Sequence, residues 1–195
     1  MLASIHPLGE RARGQRFSVT VIALTLGSVG GGAIFGALLG ALGSLFGGVG
    51  TVTTRAAILA VAAAAAALVD SHGRSVPSLH RQVNEDWLRR YRGWVYGFGF
   101  GTQLGVGVLT IVTTAAVYLT WIAAAMVASP VPAMLVGASF GLARSVPMFA
   151  SASLVTPSAI ARRVGRLAVW NGTFGTMTVL AEIATAGAAA LAVLS

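Results

Sequence analysis

The sequence contains no cysteine and no lysine, and it carries little charge of either sign. Without cysteine, disulfides, thiol relays, thiolate metal sites and cysteine nucleophiles are excluded. The three histidines, His6, His72 and His80, fall outside the apolar runs, so no histidine-built metal or haem centre is expected inside them. Charged residues make up 9% of the chain, against roughly 25% in soluble domains. That is too little to cover a surface facing water. There is no G-x-S-x-G, no H-E-x-x-H and no phosphate loop. The segment Gly97-Phe-Gly-Phe-Gly-Thr-Gln103 has the glycines of a nucleotide loop but no lysine after them. The chain is therefore expected to be neither an enzyme nor a cofactor binder.

What is present points one way. Of 195 residues, 56% are hydrophobic and 25 are glycine, and the mean hydropathy is +0.83. This is the composition of an integral membrane protein, expected as an all-α, polytopic transmembrane helix bundle. Thirteen arginines against five acids give a net charge of +8. The arginines flank apolar runs, which reads as topology and anionic lipid headgroups, not as nucleic-acid binding.

A spanning helix needs about 20 apolar residues. Five charge-poor runs qualify, at 17–50, 53–70, 93–129, 131–155 and 167–195, behind a cytoplasmic N-terminal segment 1–16. Arginine clusters at 11–16, 74–92 and 162–166 belong on the cytoplasmic side by the positive-inside rule. Five crossings of a bacterial inner membrane satisfy all three, with the N-terminus cytoplasmic and the C-terminus outside. The first and third runs, as continuous helices, would measure about 51 and about 55 Å against ~30 Å of hydrocarbon. Both are glycine-rich, so they are either long and tilted or broken. Between the second and third runs, Leu79, Val83, Trp87 and Tyr91 recur every four residues. That spacing predicts a cytoplasmic amphipathic helix over 78–92, with Trp87, Tyr91 and Trp94 as interface anchors facing lipid or a partner protein.

Small-xxx-small ridges recur at Gly36/Gly40 and Gly137/Gly141, as in a weak inverted repeat. They are expected to pack helices closely, joining copies of the chain in a homo-oligomer or meeting a membrane partner. Within the runs, Arg144 and Glu182 are the notable charges, each about fourteen residues from one end of its run. Intramembrane charges are costly and normally paired, so an Arg144–Glu182 ion pair is expected, as a functional site or a structural clamp. Gln103 and Thr102 sit among the glycines of the third run, with Thr110 further along it, all candidates for a solute or ion pathway.

The stretches Tyr96-Gly-Phe-Gly-Phe-Gly-Thr-Gln-Leu-Gly105 and Gly137-Ala-Ser-Phe-Gly-Leu-Ala-Arg-Ser-Val-Pro147 resemble the cytochrome c biogenesis transmembrane family (CcdA and the membrane part of DsbD). That family belongs with the LysE-type exporters. The resemblance implies a scaffold of inverted three-helix repeats, but this chain lacks the paired cysteine that carries reducing equivalents in it. Two functions are expected on these grounds. One is a small-solute or ion transporter or exporter subunit. The other is a non-catalytic, membrane-anchoring or accessory subunit of a larger complex.

Overall fold

The computed structural model describes residues 5–45, 50–78, 86–153 and 156–194. They form eight helices and, among the described residues, no strand: α1 (Pro7–Ala12), α2 (Phe17–Leu45), α3 (Val52–Ser71), α4 (Asp86–Arg90), α5 (Gly93–Val106), α6 (Ala116–Met126), α7 (Pro130–Ala150) and α8 (Pro157–Leu194). Four of them are long and apolar enough to cross a membrane: α2, α3, α7 and the Gly172–Leu194 part of α8.

The bundle is built around α2, which packs against both α5 and α7. Its inner face is made of Gly27, Ser28, Gly31, Gly32, Gly36, Gly40 and Gly43, while Ile22, Leu26, Ile34 and Leu38 point outward and are exposed. In a bilayer the large apolar side chains face lipid at no cost, and small residues inside let backbones approach. The partners of these glycines give the helix directions. Gly97, Gly101 and Gly105 of α5 meet Thr20, Leu24 and Ser28 in rising order, so α5 runs parallel to α2. Ala125 of α6 then meets Gly43, so α6 continues the same way along the same helix. In α7 the order is reversed, Gly141 meeting Ser28, Gly137 meeting Gly32 and Ala133 meeting Gly36.

On the far side, α3 packs on α8 and on α6. One apolar cluster gathers Ala63, Ala66, Ala124 and Ala133 around Trp121, whose ring stacks edge-on to Phe35 and Phe140. A second gathers Ile5, Val21, Leu24 and Phe100 around Tyr96.

Several sequence expectations change. The first run is one unbroken helix of 29 residues despite its glycines, about 43 Å long at 1.5 Å per residue. The third run, by contrast, is two short helices parted at 107–115. The fourth run's helix starts at Pro130 and ends at Ala150, and α8 begins at Pro157, ten residues before the apolar run expected from 167. Of the amphipathic helix expected over 78–92, Ser78 is not helical, only 86–90 is helical as α4, and 79–85 lie outside the described residues. The ridges expected to join two copies are occupied within one chain, because α2 and α7 cover each other's glycines.

The N-terminal segment folds onto the bundle. His6 caps α1, its Nδ1 accepting from Gly9 N at 3.2 Å, and α1 carries Glu10 into the bundle. Glu10 is wholly buried, its carboxylate accepting from Arg13 at 2.5 Å, from the Thr20 hydroxyl at 2.6 Å and from the Tyr96 hydroxyl at 2.5 Å. Burial alone would lower the Arg13 pKa, but the hydrogen bond and charge of Glu10 hold it above its ordinary value. Glu10→Ala strands the buried Tyr96 hydroxyl, at a cost of about 1–3 kcal/mol, and leaves the Thr20 hydroxyl only its 3.4 Å contact with the Arg16 carbonyl. The expected outcome is release of α1, read as faster tryptic cleavage after Arg11 and Arg13.

Candidate functional site

The interruption of the third run has a local cause. Gly107 closes α5 with φ +76°, a backbone conformation that side chains rarely adopt. The next residues, Val108 to Thr114, include six β-branched side chains, which resist helix through lost χ1 freedom. A non-helical segment among apolar helices must find partners for its backbone polar groups, since apolar surroundings supply none. Those partners come from the segment itself and from the end of α3. The Thr110 N–H and hydroxyl both donate to the Gly107 carbonyl, at 3.1 and 2.7 Å. Val112 N donates to Ser78 Oγ at 3.0 Å, and the Tyr118 hydroxyl donates to the Pro77 carbonyl.

Ala115 N, at the start of α6, donates to both oxygens of Asp70, at 2.9 and 3.1 Å. Asp70 therefore acts as a helix cap supplied from another helix, its charge favourable at the positive end of the α6 dipole. Beside it, across the α3–α8 interface, lies Glu182. Glu182 is 2% exposed, and its carboxyl meets no N–H or hydroxyl donor, only the Asp70 carboxyl. Two acids thus face each other in an apolar setting, Asp70 accepting from backbone and Glu182 having Asp70 as its polar neighbour. On the α3–α6 side, an open cavity of about 340 Å³ is lined by Ala66, Val69, Arg74, Ser75, Ala115 and Tyr118, among them the chain neighbour of Asp70 but neither acid.

The expected Arg144–Glu182 pair does not form. Arg144 of α7 donates from Nη2 to Thr110 Oγ1 at 3.2 Å, and its guanidinium sits 5.5 Å from the centre of the Phe140 ring. Residues 107–115, carried by a different chain segment, take up Arg144 on the α7 side and Asp70 on the α3 side. Among the described residues the ion pair found is Arg13–Glu10. Of the other pathway candidates, Thr110 stands at the break, and Gln103 is half-buried on α5 one turn before it, its carbonyl accepting from Gly107 N at 3.1 Å. Thr102 packs against Gly31 of α2 and donates to the Phe98 carbonyl, away from Asp70 and Glu182. Trp87, Tyr91 and Trp94 are exposed, with Trp87 stacked on Phe100. Among the described residues no group of three or more acidic, histidine or cysteine side chains stands ready for a metal ion.

Sequence reasoning missed Asp70 and Glu10. The available signal was scarcity: with only five acids in the chain, an acid ending an apolar run carries information.

Arg144→Met has a calculable sign. It removes one hydrogen bond worth about 0.5–3 kcal/mol and a ring contact worth about 0.5–2. It also removes an intramembrane charge costing about 2.5–3.5 kcal/mol on insertion scales. The variant is expected to fold with unchanged or slightly higher thermal stability in detergent, which a melting curve reads directly.

No family model matches the chain, and no solved structure matches it. It is similar to methylamine utilization protein MauF of Paracoccus versutus, 32% identical over 169 residues, covering 85% of this chain and 62% of that protein. MauF of Methylorubrum extorquens is 30% identical over 153 residues, 76% of this chain and 52% of that protein. MauF of Paracoccus denitrificans is 31% identical over 124 residues, 63% of this chain and 45% of that protein. The chain thus spans roughly half of the curated relatives it matches. These matches overturn the resemblance to the cytochrome c biogenesis family, which rested on short glycine-rich stretches shared by many close-packed membrane helices.

Proposed function

We propose that the chain works in methylamine utilization as a small-solute or ion transporter subunit of the bacterial cytoplasmic membrane. It crosses five times, the α5–α6 passage serving as one broken crossing, with the N-terminal segment cytoplasmic and the C-terminus outside. The orientation is supported by arginines at the start of α2, after α3, before α5 and in the first turns of α8, where anionic headgroups would meet them. The observation that carries the transport reading is the parted third run, with Asp70, Arg144 and a Glu182 without an N–H or hydroxyl donor gathered around it. Broken helices and intramembrane charge are where transporters place their sites. The chemistry is binding and passage, with no catalytic step.

A second reading, an accessory subunit that anchors a partner, is favoured by α8. Its residues 157–171 extend about 22 Å beyond the apolar part, with Arg162 and Arg166 exposed. Uptake of radiolabelled methylammonium into proteoliposomes separates the two, at mildly acidic pH where almost all the amine is cationic. The transporter reading expects uptake well above that of empty liposomes. No uptake, together with loss of growth on methylamine when the gene is deleted, points to the accessory role.

A further inference from the structure

We propose that the carboxyl pair Asp70–Glu182 is a binding site for one small primary-ammonium cation. The proposal deepens the transporter reading and rests on it for the nature of the cargo. Glu182 is the starting point. It is 2% exposed, and its oxygens meet no N–H or hydroxyl donor, only the carboxyl of Asp70, in a bundle whose other buried polar side chains are mostly hydrogen-bonded. A buried carboxylate without donors costs several kcal/mol, so a group that supplies positive charge and N–H donors belongs beside it.

Among the described residues no cation reaches Glu182. Arg74, which lines the nearby cavity, is exposed and makes no ion pair with any of them. Arg144 is turned to Thr110 and Phe140, and Arg55 reaches toward the Met126 carbonyl at 3.4 Å. The neighbour that Glu182 does have is a second carboxyl, Asp70. Two facing carboxyls cannot both stay ionised in an apolar setting unless a proton or another cation lies between them.

The chemistry of that cation is narrowed by the surroundings. A hard metal ion asks for about six oxygens. Among the described residues no third acid or histidine joins the pair, and Asp70 already accepts from Ala115 N. A primary ammonium asks for three directed acceptors, which the two oxygens of Glu182 and a remaining lone pair of Asp70 provide. Space for a short alkyl group lies one residue from Asp70, in the mostly apolar cavity bordered by Ala66, Val69 and Ala115, which Arg74 and Ser75 also line. Because Asp70 also caps α6, a cation drawing on that carboxylate acts directly on the junction where the third run is parted.

The test is direct binding of methylammonium chloride to the purified full chain in lipid nanodiscs. Saturable binding is expected, displaced by ammonium and ethylammonium. Tetramethylammonium, which has no N–H donor, should not displace it, and neither should sodium or potassium. Glu182→Gln should weaken binding about tenfold or more, the loss of one charged hydrogen-bonding partner. Asp70→Asn should weaken it comparably, with the fold checked by size-exclusion profile. Glu182→Leu, which keeps the α3–α8 interface apolar, gives the same reading if Glu182→Gln does not fold. Absence of saturable binding to the folded wild type overturns the proposal. So does binding that survives the folded Glu182 variants, or equal competition by alkali ions. Uptake into proteoliposomes without binding at this pair would leave the transporter reading standing and the inference refuted. Binding at the pair without uptake would do the reverse.

Discussion

Gly32→Val is expected to abolish folded protein, whereas Gly30→Val, two residues earlier in the same helix, leaves it intact. A Cβ on Gly32 would lie 2.1 Å from the Gly137 carbonyl oxygen and 3.3 Å from that of Gly105, so it strikes α7 and crowds α5 together. Both obstacles are main chain and cannot rotate aside. Overpacking a core usually costs about 1–3 kcal/mol. Here relief requires separating α2 from α7 along much of their length, which places the effect above about 4 kcal/mol, in the tail of single substitutions. Gly30 has nothing within 4 Å of its would-be Cβ, so its replacement carries only the small intrinsic preferences of glycine and valine for helix. Folded yield in detergent and a monodisperse elution profile read the contrast. Equal yields for the two variants would refute the packing assigned to α2.

The second large effect is expected at Asp70, and its sign depends on the replacement. Asp70→Ala removes both acceptors of the Ala115 N–H and leaves the start of α6 unsatisfied in an apolar setting. It also leaves Glu182 with no polar neighbour to share a proton or a cation. An orphaned buried donor costs about 1–3 kcal/mol. The isolated carboxyl adds to that, so a loss of about 2–4 kcal/mol in thermal or denaturant stability is expected. Asp70→Asn behaves differently. Its amide oxygen keeps an acceptor for Ala115 N, and its NH₂ group offers Glu182 a donor in place of a second charge. Stability equal to or above wild type is therefore expected for Asn. If Ala and Asn destabilise equally, Asp70 is not acting as the cap of α6.

The sequence could be read correctly where one residue's chemistry settles the matter. Scarce charge and long apolar runs place the chain among membrane helices, because lipid cannot satisfy an open backbone. Glycine at 36, 40, 137 and 141 marks close packing. Which surface each ridge meets is a question about another part of the chain, and an intramolecular partner satisfies the same pattern as a second copy. Glycine content alone also did not separate the two long runs. Both are rich in it, yet α2 continues through its glycines while the third run parts at Gly107. The difference lies in the β-branched stretch after Gly107, whose freed N–H groups find Ser78 and Asp70.

The sequence by itself determined the solvent, the helical class and the arginine-rich ends of the bundle, since hydropathy and charge act residue by residue. Tertiary structure alone decided the partners of the buried polar groups. Arg144 and Glu182 sit at matching positions in their runs, but depth along a helix says nothing of the face presented. Rotation of α7 and α8 about their axes sends Arg144 to Thr110 and Glu182 to Asp70. Those rotations are set by the glycine contacts of α2 with α7 and by the alanine faces of α3 and α8, short-range packing over the whole helix length that outweighs the pull between two charges.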